Sequence, residues 1–228
     1  MKPIIVFGYN EYAKEIALNF KASGVEVVIY VIEETNLRRA DEDGFKAEFI
    51  ELDDNWLDIA EKFDISNLIC FCALDDDAQN VFLTISLRAE YSQLNIIALA
   101  TSKDSAEKLH LAGANKAIAK LETTASVIVE CLEKPAVVEV MNEILYHNKE
   151  IKLAQYTISE GSVLRDKKLH DITLHEEFNV IILAIADLEL DAEFSFTSAG
   201  HNHIIDPDDV LVVMGREDDL VKFEKAIQ

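Results

Sequence analysis

The chain has 228 residues, half of them hydrophobic, and a formal net charge of −22. That length and apolar content suit one large or two modest globular domains and exclude a disordered chain. The charge repels phosphate backbones and anionic membrane surfaces, so nucleic acid is not an expected partner, and no apolar run reaches the about 18 to 20 residues of a membrane helix.

Ile4-Ile5-Val6-Phe7 reads as an apolar strand. It enters Gly8-Tyr9-Asn10-Glu11-Tyr12-Ala13, an amphipathic helix to about Ser23, a Gly24 stop and a second strand, Val27–Ile32, followed by Glu33-Glu34. Strand, turn, helix, strand is the order of a dinucleotide-binding unit, whose turn reads G-x-G-x-x-G/A. Asn10 stands at the second glycine and Ala13 at the third. Asn10 adds a side chain where a pyrophosphate needs bare backbone. Glu11 puts negative charge at a helix N-terminus that otherwise favours anions.

The alternation continues. Ala47–Ile50 reads as a strand, Trp56–Phe63 as a helix capped by Asn55 or Asp54, and Leu68–Ala73 as an almost wholly apolar strand of the kind helices cover on both faces. Asp76–Tyr91 reads as a helix with Val81, Ile85 and Leu87 or Arg88 at helical spacing and acids suited to its first turn. Leu94–Ala100, a helix Ser105–Ala112 stopped by Gly113, and the strand Lys116–Ala119 complete the run. This is an α/β, Rossmann-like, doubly wound parallel sheet.

The character changes near Pro135. Thr123–Leu132 and Val137–His147 read as helices, the second with Val137, Val138, Met141, Ile144 and Leu145 on one side. Beyond Ile151 come an alternating stretch to Ser159, the apolar run Val180–Ala186, a loop holding Gly200 and Pro207, the strand Val210–Met214 and a closing helix Asp218–Ala226. They make a smaller, largely antiparallel α+β C-terminal lobe. The expected division is residues 1–134, a helical crossover over 135–150, and 151–228. A helical connector, unlike a Gly/Ser linker, couples the lobes mechanically.

Three cysteines, Cys70, Cys72 and Cys131, make no disulfide framework and read as buried small apolar residues, the first two on one sheet face. The acid clusters Asp41–Asp43, Asp53-Asp54, Asp75–Asp77, Asp187–Glu193, Asp206–Asp209 and Glu217–Asp219 read as solvated loops and strand ends. His201-Asn202-His203, near Glu193 and Asp206, lacks a second ligand pair at a telling spacing and reads as a solvated loop, and His110 as a partly buried helix residue.

Four segments, in order, resemble one family. Leu74-Asp75-Asp76-Asp77-Ala78-Gln79-Asn80 resembles the acidic turn and Asn after a fourth strand, and Leu111-Ala112-Gly113-Ala114-Asn115-Lys116 an L-x-x-G-A-D segment. Ile158-Ser159-Glu160-Gly161-Ser162-Val163-Leu164 with Lys168-Leu169 resembles an EGS-x-L opening, and Asp208-Asp209-Val210-Leu211-Val212-Val213-Met214-Gly215 a GD-x-L-x-x-x-G end. Together they resemble the RCK domain (regulator of potassium conductance), of TrkA-N plus TrkA-C type. Val31 stands where transporter-type subunits carry an acid, and Glu33-Glu34 come later; the Gly8-Tyr9-Asn10-Glu11 turn and the late Glu33-Glu34 look more like RCK domains of prokaryotic potassium channels.

The resemblance implies a non-enzymatic, cytoplasmic, ligand-sensing module that gates a potassium channel through the shape of an RCK ring. Its partners would be a channel pore or a transporter membrane subunit at the inner face of the membrane, and further copies of itself, a homodimer or higher ring joined through the crossover stripe. A freestanding TrkA-like transporter subunit is the alternative. An NAD-dependent oxidoreductase is the rival from another class.

A Rossmann crevice opens at the carboxyl ends of the strands. Its expected lining is Gly8, Tyr9, Asn10, Glu33, Asp53, Asp75 and Asp76. An adenine nucleotide (ATP, ADP or NAD) is the leading ligand, with Tyr9 stacking the base and Glu33 accepting hydrogen bonds from ribose hydroxyls. Few basic residues are placed to meet phosphate, so a vacant structural crevice stays open as the other reading. A divalent cation is the competing ligand. Some channel RCK domains hold calcium between an aspartate after strand four, here Asp76 or Asp77, and two glutamates at the end of strand five, where this chain has Leu99 and Thr101. No metal set is assigned.

Overall fold

The computed structural model describes residues 2–52, 56–147, 150–169, 178–187, 193–196 and 203–227. The chain forms two compact units, Met1–Val129 and Glu130–Gln228.

The first unit alternates strands β1 (Ile4–Phe7), β2 (Val27–Val31), β3 (Lys46–Phe49), β4 (Ile69–Cys72), β5 (Asn95–Ala100) and β6 (Lys116–Ala119) with helices α1 (Glu11–Ala22), α2 (Glu34–Glu42), α3 (Leu57–Lys62), α4 (Asp77–Glu90) and α5 (Lys103–Leu111). The strands pair in parallel in the order β3-β2-β1-β4-β5-β6. The expected doubly wound sheet is the fold. Side chains alternate between two cores with the two-residue period of a strand. Ile5, Phe7, Cys70, Cys72, Ile96 and Ala98 join Ile59 of α3, Leu83 and Leu87 of α4 and Leu109 of α5. Ile4, Val6, Ile29 and Phe71 join Ala13 and Ala17 of α1 and Ala40 of α2. Each large apolar side chain so buried contributes about 1.5–3 kcal/mol.

Several expectations need correction. Helix α2 fills a stretch to which the sequence assigned no element; it is polar almost throughout, and Ala40 is its buried residue. In α4 the inward face is Asn80, Leu83, Thr84 and Leu87, whereas Ile85 is half exposed. Polar Asn80 and Thr84 can turn inward because both are hydrogen-bonded there. Trp56, with no side-chain capping bond, stands at the N-cap of α3, and the expected caps Asp54 and Asn55 lie outside the described residues. Cys70 and Cys72 are buried, but Cys131 is exposed. His110 is exposed.

Gly113 shows why the L-x-x-G-A-D-like segment needs its glycine. Its φ is +103°, and an added Cβ would lie 2.8 Å from Cγ of Arg88. Arg88 donates to the carbonyls of Gly113 (2.9 Å) and Ser92 (2.7 Å) and to Asn115 Oδ1 (2.7 Å). Asn115 Oδ1 accepts in turn from the amide of Ile96 in β5.

From Lys120 the chain is helical. It runs through α6 (Lys120–Glu133), α7 (Pro135–Asn142, with the proline in the first turn) and a π-turn, Glu143–His147. Then come β7 (Ile151–Thr157), β8 (Ile181–Asp187), β9 (Glu193–Phe196), β10 (Val210–Arg216) and α8 (Glu217–Ile227). These four strands form an antiparallel sheet ordered β7-β10-β8-β9. Strand β9, beginning inside an acid cluster, was not expected. Leu220, Phe223 and Ile227 of α8 join Leu211, Val213, Ile182 and Ile185 in the core. The EGS-x-L segment and the segment leading into β10 bind each other: the Ile158 amide donates to Asp209 O (2.8 Å) and the Asp208 amide to Ile158 O (2.9 Å).

Candidate functional site

The sheet order reverses between β1 and β4, so the loops leaving these strands diverge and a crevice opens at their carboxyl ends. Hydrogen bonds from one loop to the other fill that junction. Gly8 has φ +99°, and an added Cβ would sit 2.5 Å from the carbonyl oxygen of Ala73. The glycine is required by the β4 loop itself. Asn10 caps α1, its Oδ1 accepting from the Ala13 amide (3.0 Å). Its Nδ2 donates to Ala73 O (2.8 Å) and to Asp75 Oδ1 (3.0 Å). The side chain that replaces the second glycine thus stitches β1–α1 to β4–α4 where a dinucleotide fold leaves room for pyrophosphate.

Tyr9 does not present its ring for a base. It is 1% exposed, packs edge-on against Phe45 and donates from its hydroxyl to Asp43 Oδ2 (2.7 Å). Burial, then the Asp43 carboxylate, pushes the Tyr9 phenol above its ordinary range. Lys14 approaches the same Asp43 oxygen at 2.6 Å, and the Lys14 and Tyr9 hydrogen bonds hold the Asp43 carboxyl below the ordinary carboxylate range. Glu11, in the first turn of α1, is neutralised by Arg39 of α2 at 2.7 Å.

The remaining expected residues fall as follows. Glu33 is exposed at the head of α2, its carboxylate near the Thr35 hydroxyl (3.5 Å). Asp75 and Asp76 are exposed; Asp76 caps α4 through the Gln79 amide (3.0 Å). Asp53 lies outside the described residues. The structure therefore brings Gly8, Asn10, Asp75 and Asp76 together and takes Tyr9 away into the core.

Asp77 lies deeper than Asp76. It accepts from the amide of Thr101 (3.0 Å) and from the Thr101 hydroxyl. Burial alone would raise its pKa; hydrogen bonds from Ser105 and Thr101 and the charge of Lys120 outweigh burial and hold the carboxyl below its ordinary range. Asn80 is 1% exposed and binds the amide and carbonyl of Leu74 (both 2.9 Å) and the carbonyl of Leu99 (3.2 Å), tying the β4 and β5 loops. Leu99 is buried in the core and Thr101 is exposed. Among the described residues no group of three or more His, Cys, Asp or Glu side chains is arranged to hold a metal ion. Within the acid- and histidine-rich loop, His203 Nε2 lies 2.8 Å from the buried Asp209 carboxylate, which also accepts from the Asp206 amide. His201 and Asn202 are outside the described residues.

Two residues beside the crevice were passed over in the sequence. Tyr12, 51% exposed on the first turn of α1, and Lys120, which follows β6 directly, meet with the ammonium 5.2 Å from the ring centroid. The available signal was a lone base at the carboxyl end of an apolar strand, the level at which every crevice loop of this sheet lies.

A parallel sheet with a switch-point crevice, followed by a small antiparallel α+β lobe, defines a two-lobed protein with a Rossmann first half. The TrkA-N domain family matches residues 4–120 and the TrkA-C domain family residues 153–228. The chain belongs to this TrkA-N/TrkA-C family, the RCK arrangement that its motifs resemble. Potassium channel protein 1 of Methanocaldococcus jannaschii is 25% identical over 225 residues, which are 98% of this chain and 66% of that protein. The chain thus spans just under two thirds of that relative's length. Two solved structures share the fold. The GsuK channel bound to NAD has a TM-score of 0.50 at 17% identity, covering 99% of this chain and 38% of that one. The TrkA-N domain of inner membrane protein ybaL from Escherichia coli has a TM-score of 0.51 at 19% identity, covering 58% of this chain and 97% of that one. Among the described residues no helix is long and apolar enough to cross a membrane.

Proposed function

We propose that this chain is a ligand-sensing regulatory module that controls potassium movement through a change of shape and carries out no reaction. The observation that carries this reading is the TrkA-N lobe followed by the TrkA-C lobe, in an order that aligns almost end to end with part of a potassium channel protein. Its working parts are a sensor lobe (1–134), a helical crossover (135–150) and a C-terminal lobe (151–228). The module acts at the inner face of the membrane on a channel pore, or as a freestanding subunit on a transporter.

Assembly with its own kind is part of the reading. Crossover side chains that would lie in the core of a self-sufficient chain are open in this one: Val137 is 57% exposed and Leu145 51%. A second apolar strip, Ile85 on α4 with Leu111 on α5, is exposed on the sensor lobe. Two separate strips suit a ring better than a closed dimer.

The ligand of the crevice is an adenine nucleotide, in keeping with the NAD-bound GsuK channel of similar fold. It enters beside Asp75, Asp76 and Glu33, and the Asn10 stitch loosens as it does. A ligand shifts the balance of two shapes only by its differential affinity for them. Two experiments test the proposal. ATP, ADP and NAD are titrated against melting temperature, and no shift at millimolar concentration ends the nucleotide reading. The chain is grafted behind the pore of the M. jannaschii relative in a bacterial strain without potassium uptake, where ligand-independent growth identical to that of the bare pore ends the regulatory one.

A further inference from the structure

The cations around the crevice are not equivalent. Lys14 is tied to Asp43 and Arg39 to Glu11, each within 2.7 Å of a carboxylate. Lys120 is half-buried and makes no ion pair among the described residues. Its ammonium rests over the face of Tyr12, a contact within the about 6 Å reach of a cation–π interaction, weak at an exposed ring and easily exchanged. Its charge also acts on Asp77, whose oxygens are already engaged by Thr101. Lys120 is also the first residue of α6, the helix through which the chain passes from the first unit into the second.

We infer that Lys120 is a parked cation. With the crevice empty its ammonium lies on Tyr12; when a nucleotide enters, the ammonium leaves the ring for a phosphoryl oxygen, and the exchange acts on the first turn of α6. This rests on the nucleotide reading above and supplies what that reading lacks, a positive group for phosphate and a residue linking the crevice to the crossover. The recognised chemistry is a phosphoryl oxyanion, whether carried by a nucleotide or by inorganic polyphosphate. Tyr12 is then a competitor of the ligand, not a platform for its base.

The test uses the full chain and the melting-temperature shifts produced by ATP, inorganic tripolyphosphate and adenosine. Lys120→Gln should weaken ATP and tripolyphosphate about tenfold or more, the loss of one charge-assisted hydrogen bond, and leave adenosine unchanged. Lys120→Arg should restore most of the loss. Tyr12→Leu should strengthen ATP binding about two- to fivefold, because the parked state is removed. In the wild type, ATP should alter amide hydrogen exchange over residues 121–125, and in Lys120→Gln it should not. ATP binding equally to the wild type and Lys120→Gln overturns this inference and leaves the nucleotide reading standing. Weaker ATP binding by Tyr12→Leu makes the ring part of the ligand's own contact and also overturns it. If none of the compounds shifts the wild type, the nucleotide reading fails, and this inference with it. If tripolyphosphate binds as well as ATP and adenosine not at all, the parked cation survives with a polyphosphate as its ligand.

Discussion

The two flanks of the crevice are held in different ways. On the β1/β4 flank, Gly8 lies against the Ala73 carbonyl and Asn10 makes one capping bond and two cross-loop bonds. On the β6 flank, Lys120 touches Tyr12 through one cation–π contact. The first flank is short-range and multiply hydrogen-bonded; the second is a long charged arm resting on one aromatic face. Firm and weak contacts thus lie on opposite flanks of one crevice, and locally weak contacts are where opening is cheapest.

Breaking the firm flank should produce the largest effects. Gly8→Ala forces a Cβ to within 2.5 Å of a backbone oxygen at a φ of +99°, and should cost about 3 kcal/mol or more in urea unfolding. A cost under about 1 kcal/mol would mean that the two loops part freely. Asn80→Ala leaves the Leu74 and Leu99 backbone groups without partners and should cost about 2–3 kcal/mol by the same measurement. Asn10→Gly removes the stitch and restores the second glycine of a dinucleotide turn; it should cost about 1 kcal/mol and raise NAD affinity above the wild type in calorimetry.

Acid tests the contacts of Asp77. Asp77 has a folded-state pKa below its ordinary value, so its stabilisation is complete above the unfolded value, near about pH 4, and is lost as pH falls through the lower folded value. Asp77→Asn should flatten that acid limb of the stability curve and leave stability at pH 7 lower by the bonds to Thr101. The smallest effect belongs to the loose flank: in the absence of ligand, Tyr12→Leu should change stability by under about 1 kcal/mol. A larger loss would show that this contact belongs to the scaffold.

Most of the sheet was legible because β1, β2, β4 and β5 are nearly continuous apolar runs, with Gly8, Gly24 and Gly113 marking turns between elements. What escaped was settled by partners distant in sequence. Tyr9 looks like a crevice aromatic until Asp43, 34 residues later, takes its hydroxyl. Val81 and Ile85 carry the apolar period of α4, yet the inward face follows Asn80 and Thr84, whose polarity is absorbed by hydrogen bonds invisible in a pattern of apolar residues. Helix α2 buries Ala40 and little else, so its stripe was too thin to read. Lys120 carries no local signal beyond its position at the end of a strand.

The two cysteines of β4 turn the centre of the sheet into a chemical clock. Both thiols are fully enclosed beside the switch point, and burial lifts that of Cys72 to about 12, so at neutral pH neither presents a thiolate to an alkylating reagent. Cys131 stands in the open and is consumed at once. Whatever slower labelling follows counts excursions in which the sheet itself parts, and comparing its rate with and without added nucleotide tests whether a nucleotide tightens the strands.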